Sequence, residues 1–184
     1  RLAGNRGAPG QGTVKNLAQA AILRDHRRDF LGAYKLVATC IVGLLANPPQ
    51  GLIARITQPA RYPDDRPLRR LVWAFTRNPD SGLPAATLPG DTHWHPQLLE
   101  RTKALLAAIE RDLGLASASN LGNKLARRGL TNAPLISAVD LAAETEQPRM
   151  RVDTVHQAKG ESLDAVLYLA NREQVNALLA GQID

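Results

Sequence analysis

The sequence predicts a mainly α-helical chain with a small pair of β-strands near its C-terminus. Hydrophobic residues make up 44% of the 184 residues, which is enough for a packed core, but aromatic residues make up only 4%. A core built mostly from Leu, Ala, Val and Ile at sustained helical spacing favours helices over a β-sandwich. The strand prediction comes from two β-prone runs, at 149–156 and 164–170, that follow Pro148.

Three regions follow from these changes in composition. Residues 1–14 are rich in glycine and polar side chains, so we expect a flexible entry segment there. Residues 15–147 are expected to form a helical region. Residues 148–184 should hold the two strands and then a helix over 171–181, which begins at an Asn cap and stops at Gly181.

Helical periodicity and boundary residues define the elements of the central region. The predicted helices cover residues 15–28, 30–46, 68–76, 95–113, 120–128 and 137–143. We expect Asp65 to cap the third of them and Trp73 and Phe75 to anchor it. The fourth, which opens at His95-Pro96, has the clearest apolar stripe.

The segment between Asn78 and Pro96 contains four prolines and two glycines without clear periodicity. It is therefore predicted to be a loop of about twenty residues, as found in insertions and mobile connections. Trp94 within it is expected to act as a hydrophobic staple for the next helix, with base stacking as the alternative. His93 and His95 alone make a poor zinc site, so no metal site is predicted.

The chain is basic, with 23 Lys and Arg against 17 Asp and Glu, a net charge of +6 and a pI of about 10.0. This balance is compatible with a polyanionic partner. The cluster Arg24–Asp29 is expected to be a solvated helix face in which Asp25 and Asp29 offer local partners, with duplex DNA contact as the alternative. The pairs Arg69-Arg70 and Arg127-Arg128 permit the same two interpretations.

Other features bear on the environment of the protein. Cys40 is the only cysteine, so no internal disulfide forms, and it is expected to be a small buried hydrophobe. No uninterrupted apolar run reaches the about 18 residues that a membrane span needs, and the N-terminal residues resemble no secretory signal. No membrane association and a cytoplasmic location are the default expectations.

The stretch from Thr154 to Val166 combines residue types that suit phosphate chemistry. It reads Thr-Val-His-Gln-Ala-Lys-Gly-Glu-Ser-Leu-Asp-Ala-Val and joins the two predicted strands. A strand that ends in a short glycine-containing turn presents backbone N–H groups, and here also Lys159, to a polyanion. An ordinary exposed turn in which Gly160 serves only the backbone is the alternative.

This stretch resembles motif V of UvrD/Rep-type superfamily 1 DNA helicases, in their second motor domain. Eight positions fit the family pattern: Thr154, Val155, His156, Ala158, Lys159, Gly160, Asp164 and Val166. The resemblance covers about a tenth of the chain. The Lys-Gly-Glu-Ser variant is also similar to helicase-like proteins of prokaryotic defence systems.

The resemblance implies roles for six residues. Thr154, His156 and Lys159 would contact single-stranded DNA, while Gly160, Glu161 and Ser162 would lie nearer the nucleotide. The family usually has Leu-Glu after the glycine, so an ungapped alignment places Ser162 where the family has its ribose-binding glutamate. Either Glu161 reaches the sugar from a shifted turn, or Ser162 replaces that contact with one hydroxyl hydrogen bond.

The resemblance also implies a parent protein with α/β motor domains that binds ATP and Mg²⁺ and couples ATP hydrolysis to movement on DNA. Residues 148–184 would be part of a RecA-like motor domain, and the helical region would be its insertion. The sequence contains no Gly-Lys pair, so it has no Walker phosphate loop, no catalytic residue is assigned, and the chain alone should not hydrolyse ATP. The alternative is a non-catalytic helical module that recruits a nuclease or repair partner.

Overall fold

The computed structural model describes residues 8–136, which form a mainly helical structure with no β-strand in that range. The helices are α1 (Gly12–Asp25), α2 (Phe30–Gly43), α3 (Leu52–Thr57), α4 (Arg66–Arg77), α5 (His95–Leu113) and α6 (Leu121–Lys124). A 3-10 turn at Pro63–Asp65 precedes α4, and a π-helical turn at Gly90–Trp94 precedes α5. The mainly helical prediction is confirmed. The predicted strand pair and the helices expected at 137–143 and 171–181 lie outside the described residues.

Helix α1 packs along α2, which also contacts α3 and α4, and α4 in turn contacts α5. The inner face of α1 is formed by Val14, Leu17, Ala18 and Ala21, which are all fully buried and stand at positions i, i+3, i+4 and i+7 of the helix. The helix begins at Gly12, so its first turn lies within residues 1–14, which were expected to be flexible. Burial of Val14 on the inner face explains why this turn is ordered. It ends at Asp25, three residues before the predicted end.

Asp29 starts α2 as its N-cap, with its carboxylate accepting a hydrogen bond from the Gly32 N–H at 2.8 Å. A Cβ at position 32 would collide with the Asp29 carboxylate, so glycine leaves room for the cap in this geometry. The other end of α2 is tied to the segment after α5, where the Ala118 N–H donates to the Leu44 carbonyl at 2.8 Å. The predicted buried helix at 30–46 is therefore confirmed, with an end three residues earlier.

Two expectations about α4 are wrong. Asp65 occupies the N-cap position, but its carboxylate forms no cap hydrogen bond and instead accepts hydrogen bonds from Arg55 at 2.7 and 2.8 Å. Trp73 does not anchor the helix in the core, since 37% of its surface is exposed, whereas Phe75 is 5% exposed as expected. The buried face of α4 is formed by Leu68, Val72, Phe75 and Thr76.

Helix α5 follows its predicted stripe and buries Leu98, Thr102, Leu105, Leu106 and Ile109. It stops at Gly114, whose φ of 68° is the left-handed conformation that ends helices. The helix predicted at 120–128 is confined to α6. Among residues 8–136, no helix is long and apolar enough to cross a membrane.

The connection between α4 and α5 is packed into the core. Leu83, Ala86 and Trp94 are fully buried. The Leu83 N–H donates to the Phe75 carbonyl at 2.7 Å, and the Ile136 N–H donates to the Ala86 carbonyl at 3.0 Å. The absence of periodicity in this segment thus reflects irregular backbone, which is held by hydrogen bonds to distant parts of the chain.

Candidate nucleic-acid interface

The six residues to which the sequence assigns DNA or nucleotide binding all lie outside the described residues: Thr154, His156, Lys159, Gly160, Glu161 and Ser162. The described part nevertheless offers two neighbouring surface features that the sequence prediction did not assign. One is the outer face of α4. The other is a groove between α4 and α5.

The outer face of α4 carries Arg66, Arg70, Trp73 and Arg77, and all four side chains are exposed. Their spacing of four, three and four residues places them on one stripe of the helix, opposite Phe75. Within residues 8–136, none of these three arginines forms an ion pair or a side-chain hydrogen bond. Their guanidinium groups are therefore without a protein partner in this part of the chain.

The charge of α4 is unopposed along the helix itself, since its twelve residues include four arginines and no acid. The fourth, Arg69, is used in the fold: its guanidinium donates to the carbonyls of Tyr62 at 2.5 Å and Pro63 at 2.9 Å. The two residues of the Arg69-Arg70 pair therefore differ. Arg69 positions the turn before α4, and Arg70 remains on the outer face.

Trp73 is exposed but packs against a neighbouring aromatic side chain. Its ring meets that of Tyr34 on α2 edge to face, with centroids 5.3 Å apart and an interplanar angle of 76°. Tyr34 is itself anchored, because its hydroxyl donates to the Ile56 carbonyl at 3.1 Å. Burial raises the pKa of Tyr34, and the nearby charge of Arg69 opposes that rise only in part. The phenol therefore stays protonated, and the indole rests on a neutral partner.

The groove between α4 and α5 has a volume of about 540 Å³ and an apolar wall. The wall is formed by Leu71, Ala74, Phe75, Ala104, Leu105 and Ala108. Arg77, Asn78, Ser81 and Arg101 supply the polar rim. Arg77 belongs to both features, so the groove opens beside the end of the arginine stripe.

The rim of the groove is held by its own hydrogen bonds. Arg101 donates to the carbonyls of Pro79 at 2.7 Å and Gly82 at 3.2 Å, and the Asn78 side-chain oxygen accepts from the Asp80 N–H at 2.9 Å. The amide nitrogen of Asn78 and the hydroxyl of Ser81 form no hydrogen bond with other residues of 8–136. Both groups can therefore bind a polar ligand at the mouth of the groove.

Arg24 is not part of a solvated basic face, which corrects the sequence expectation. It is only 2% exposed, and its guanidinium donates to the carbonyls of Thr76 at 3.0 Å, Leu83 at 2.5 Å and Pro84 at 3.1 Å. It also pairs with the adjacent Asp25 at 2.5 Å, and Asp25 accepts from the Ala86 N–H at 2.7 Å. Arg24 and Asp25 therefore hold the connection between α4 and α5.

The remaining basic positions of the described part differ from one another. Arg27 and Arg28 are exposed, as a solvated face would be. Arg127 pairs with Asp91 at 3.3 Å on the surface, while Arg128 is exposed. These side chains do not share one helix face with the arginines of α4.

Trp94 cannot stack on a base, because it is fully buried and its indole N–H donates to the Pro84 carbonyl at 3.2 Å. His95 is also buried, with Nε2 at 2.7 Å from the Leu125 carbonyl oxygen. His93 is exposed, and its Nδ1 lies 2.8 Å from the Thr92 hydroxyl. The two histidines thus have separate structural partners.

Cys40 is buried, as expected, with its sulfur 3.9 Å from the Thr13 carbonyl oxygen. Burial raises the pKa of the thiol to about 12. A thiol that stays protonated at neutral pH is a poor nucleophile, as expected of a small buried hydrophobe.

Comparisons of the chain with protein-family models, with curated proteins and with solved structures found no match.

Proposed function

We propose that the chain is part of an ATP-dependent DNA helicase or helicase-like motor of the UvrD/Rep type, and that it binds single-stranded DNA. The observation that carries the proposal is the run from Thr154 to Val166, with its eight matches to motif V. The net charge of +6 agrees with a polyanionic ligand. Residues 148–184 would belong to an α/β motor domain, and the two predicted strands would flank the motif.

The proposed DNA contacts come from Thr154, His156 and Lys159. A hydroxyl and a ring N–H donate hydrogen bonds to phosphate oxygens, and an ammonium group neutralises phosphate charge. These groups fix the strand on the protein without reading its bases. Binding of this kind suits a motor that must move along any sequence.

The proposed nucleotide side of the motif is formed by Gly160, Glu161 and Ser162. ATP and Mg²⁺ would be held mainly by the first motor domain of the parent protein, because the present sequence has no Walker loop. The turn would link the proposed DNA-binding residues to the proposed nucleotide-binding residues. A conformational change on the nucleotide side would then be transmitted to the DNA side. The chain alone is expected to bind DNA without hydrolysing ATP.

The first experiment measures single-stranded DNA binding by the 184-residue chain over a range of salt concentrations. Because counterions are released from the phosphates, the logarithm of the binding constant should fall linearly with the logarithm of salt concentration. Lys159→Ala should weaken binding and reduce the slope by about 0.7, the contribution of one phosphate contact to a single strand. His156→Ala should weaken binding with a smaller change in slope.

Matched controls are available on the described surface. Lys103→Ala and His93→Ala remove the same side chains from exposed positions outside the motif. If the control variants lose as much affinity as the motif variants, the assignment of residues 154–159 to DNA binding is wrong. In the parent protein, His156→Ala and Lys159→Ala should also uncouple ATP hydrolysis from stimulation by single-stranded DNA.

The second candidate is a non-catalytic module that recruits a nuclease or repair protein. The apolar groove of about 540 Å³ between α4 and α5 favours it, because such grooves accept side chains of a partner. This function predicts protein binding that changes little with salt. It also predicts that Lys159→Ala has no effect on that binding, whereas Leu71→Glu in the groove wall abolishes it.

A further inference from the structure

We infer that the outer face of α4 is a separate binding surface for single-stranded nucleic acid. Arg66, Arg70 and Arg77 contact phosphates, and Trp73 stacks on a base. The inference goes beyond the proposed function because none of these residues belongs to the 154–166 motif, and it stands on the described geometry alone.

The arrangement has the two components that sequence-independent single-strand binding requires. These are cationic groups that follow the backbone and an aromatic face for the bases. Arg66 and Arg77 are eleven residues apart, which spans about 16 Å along an α-helix. At the stacked spacing of about 3.4 Å per nucleotide this length covers about five nucleotides. Trp73 lies between the second and third arginines, where a base between two bound phosphates would reach it.

Trp73 is suited to stacking because it is exposed and already ordered. The edge-to-face contact with Tyr34 at 5.3 Å fixes the indole before a ligand arrives, so little side-chain entropy is lost on binding. Trp94, the other tryptophan, is fully buried. Of these two tryptophans, only Trp73 can therefore stack on a base.

Two observations favour a single strand over a duplex or an acidic protein. A duplex hides its base faces, so it would use the arginines and leave Trp73 without a stacking partner. The groove beside Arg77 also has an apolar wall and two polar groups without partners in residues 8–136, on Asn78 and Ser81. An unpaired base presents both an apolar face and a polar edge and fits such a site.

The binding test uses the full 184-residue chain and a fluorescein-labelled oligothymidylate of about fifteen nucleotides, within the range of known single-strand sites. The triple variant Arg66→Ala/Arg70→Ala/Arg77→Ala should bind at least about ten-fold more weakly, and its salt slope should fall by about 2, since each single-strand phosphate contact contributes about 0.7. The control variant Lys15→Ala/Arg27→Ala/Lys103→Ala removes the same charge from exposed positions on other parts of the surface. It should bind within about two-fold of the wild type, because non-contacting charges act only through the screened field.

The stacking test uses the intrinsic fluorescence of the two tryptophans. Unlabelled oligothymidylate should quench part of the emission of the wild-type chain, and Trp73→Phe should abolish that quenching while retaining most of the affinity. Trp73→Ala should lose the quenching and should also bind the oligothymidylate more weakly. Unfolding midpoints in urea that match the wild type establish that the exposed substitutions leave the fold intact.

Several outcomes would overturn the inference. The first is a control triple variant that loses as much affinity as the α4 variant, since net charge alone would then drive binding. The second is a duplex of equal length that binds as tightly without quenching Trp73, and the third is polyglutamate that competes as well as the oligonucleotide. If His156→Ala and Lys159→Ala abolish binding and the α4 triple variant does not, this inference fails while the proposed function stands. If the α4 triple variant abolishes binding and His156→Ala and Lys159→Ala do not, the assignment of DNA binding to motif V fails and the α4 inference stands.

Discussion

The connection between α4 and α5 and the outer face of α4 use the same residue types for opposite purposes. In the connection, Trp94 is fully buried, and the guanidinium of Arg24 from α1 donates to the carbonyls of Leu83 and Pro84 there and to that of Thr76 in α4. On the outer face, Trp73 is 37% exposed and the neighbouring arginines have no partner in residues 8–136. An arginine or a tryptophan therefore indicates a binding surface only when the fold leaves its polar or aromatic groups unused.

The difference has a simple physical origin. An irregular segment has backbone carbonyls that no helix or sheet satisfies, and burying them without partners costs free energy. The five N–H donors of a guanidinium can satisfy several such carbonyls at once. Arg24 does this for the connection. The outer face of α4 is regular helix, whose carbonyls are already bonded, so its arginines are left for other partners.

The largest expected effect is that of Arg24→Ala, which should lower the free energy of unfolding by about 3–5 kcal/mol because Asp25 and the carbonyls would remain partly buried without their donor. Urea denaturation of the full chain measures it. Arg66→Ala, on the outer face, should change stability by no more than about 0.5 kcal/mol. A similar loss for both variants would contradict the contrast between the two regions.

Gly82→Ala is expected to cost about 3 kcal/mol, at the upper end of the range for overpacking. The added Cβ would lie 2.1 Å from the Phe75 carbonyl oxygen, so the connection would have to move away from α4. Gly43→Ala is the matched control, because a Cβ there meets no atom within 4 Å and the residue lies in a helix. It should stabilise the chain by about 0.4–1 kcal/mol. Thermal or urea unfolding of both variants tests the expected difference in sign.

The two tryptophans provide a third comparison. Trp94→Phe should lower the free energy of unfolding by about 2 kcal/mol, because it leaves a cavity and loses the hydrogen bond to the Pro84 carbonyl. Trp73→Phe should cost less than about 1 kcal/mol, since the edge-to-face contact with Tyr34 can persist. Equal costs in chemical denaturation would show that the ring of Trp73 contributes to the core after all.

The smallest effect concerns Cys40, which should not react with a thiol reagent at pH 8 in the native chain but should react at once in urea. Burial raises the thiol pKa to about 12, well above the about 8.5 of an unfolded cysteine. Between about pH 8.5 and about pH 12, the Cys40 thiol is therefore protonated in the folded state and ionised in the unfolded state. Stability from this group is therefore complete below about pH 8.5 and falls as the pH rises towards 12. Cys40→Ala should remove this contribution to the alkaline loss of stability.

Local patterns predicted the long helices well. The apolar stripe of α5 and the apolar run of α2 identify helices because the periodicity of apolar residues can be read within a few helical turns. The role of Arg24 could not be predicted in this way, since its carbonyl partners lie 52, 59 and 60 residues away. The position of Trp73 could have been predicted: residues 73 and 75 are about 200° apart on a helix, so both cannot face one core. For residues 154–162, the sequence prediction remains a prediction.

The hydrogen bond from the Gly10 N–H to the Gly129 carbonyl, at 3.0 Å, joins the residues just before α1 to the turn that follows α6. The chain continues past this turn, and the Ile136 N–H reaches the Ala86 carbonyl in the connection between α4 and α5. Because Gly10 and Gly129 are far apart in the sequence, their contact closes a long loop, and the packing of the helices between them must offset the entropy that this closure costs.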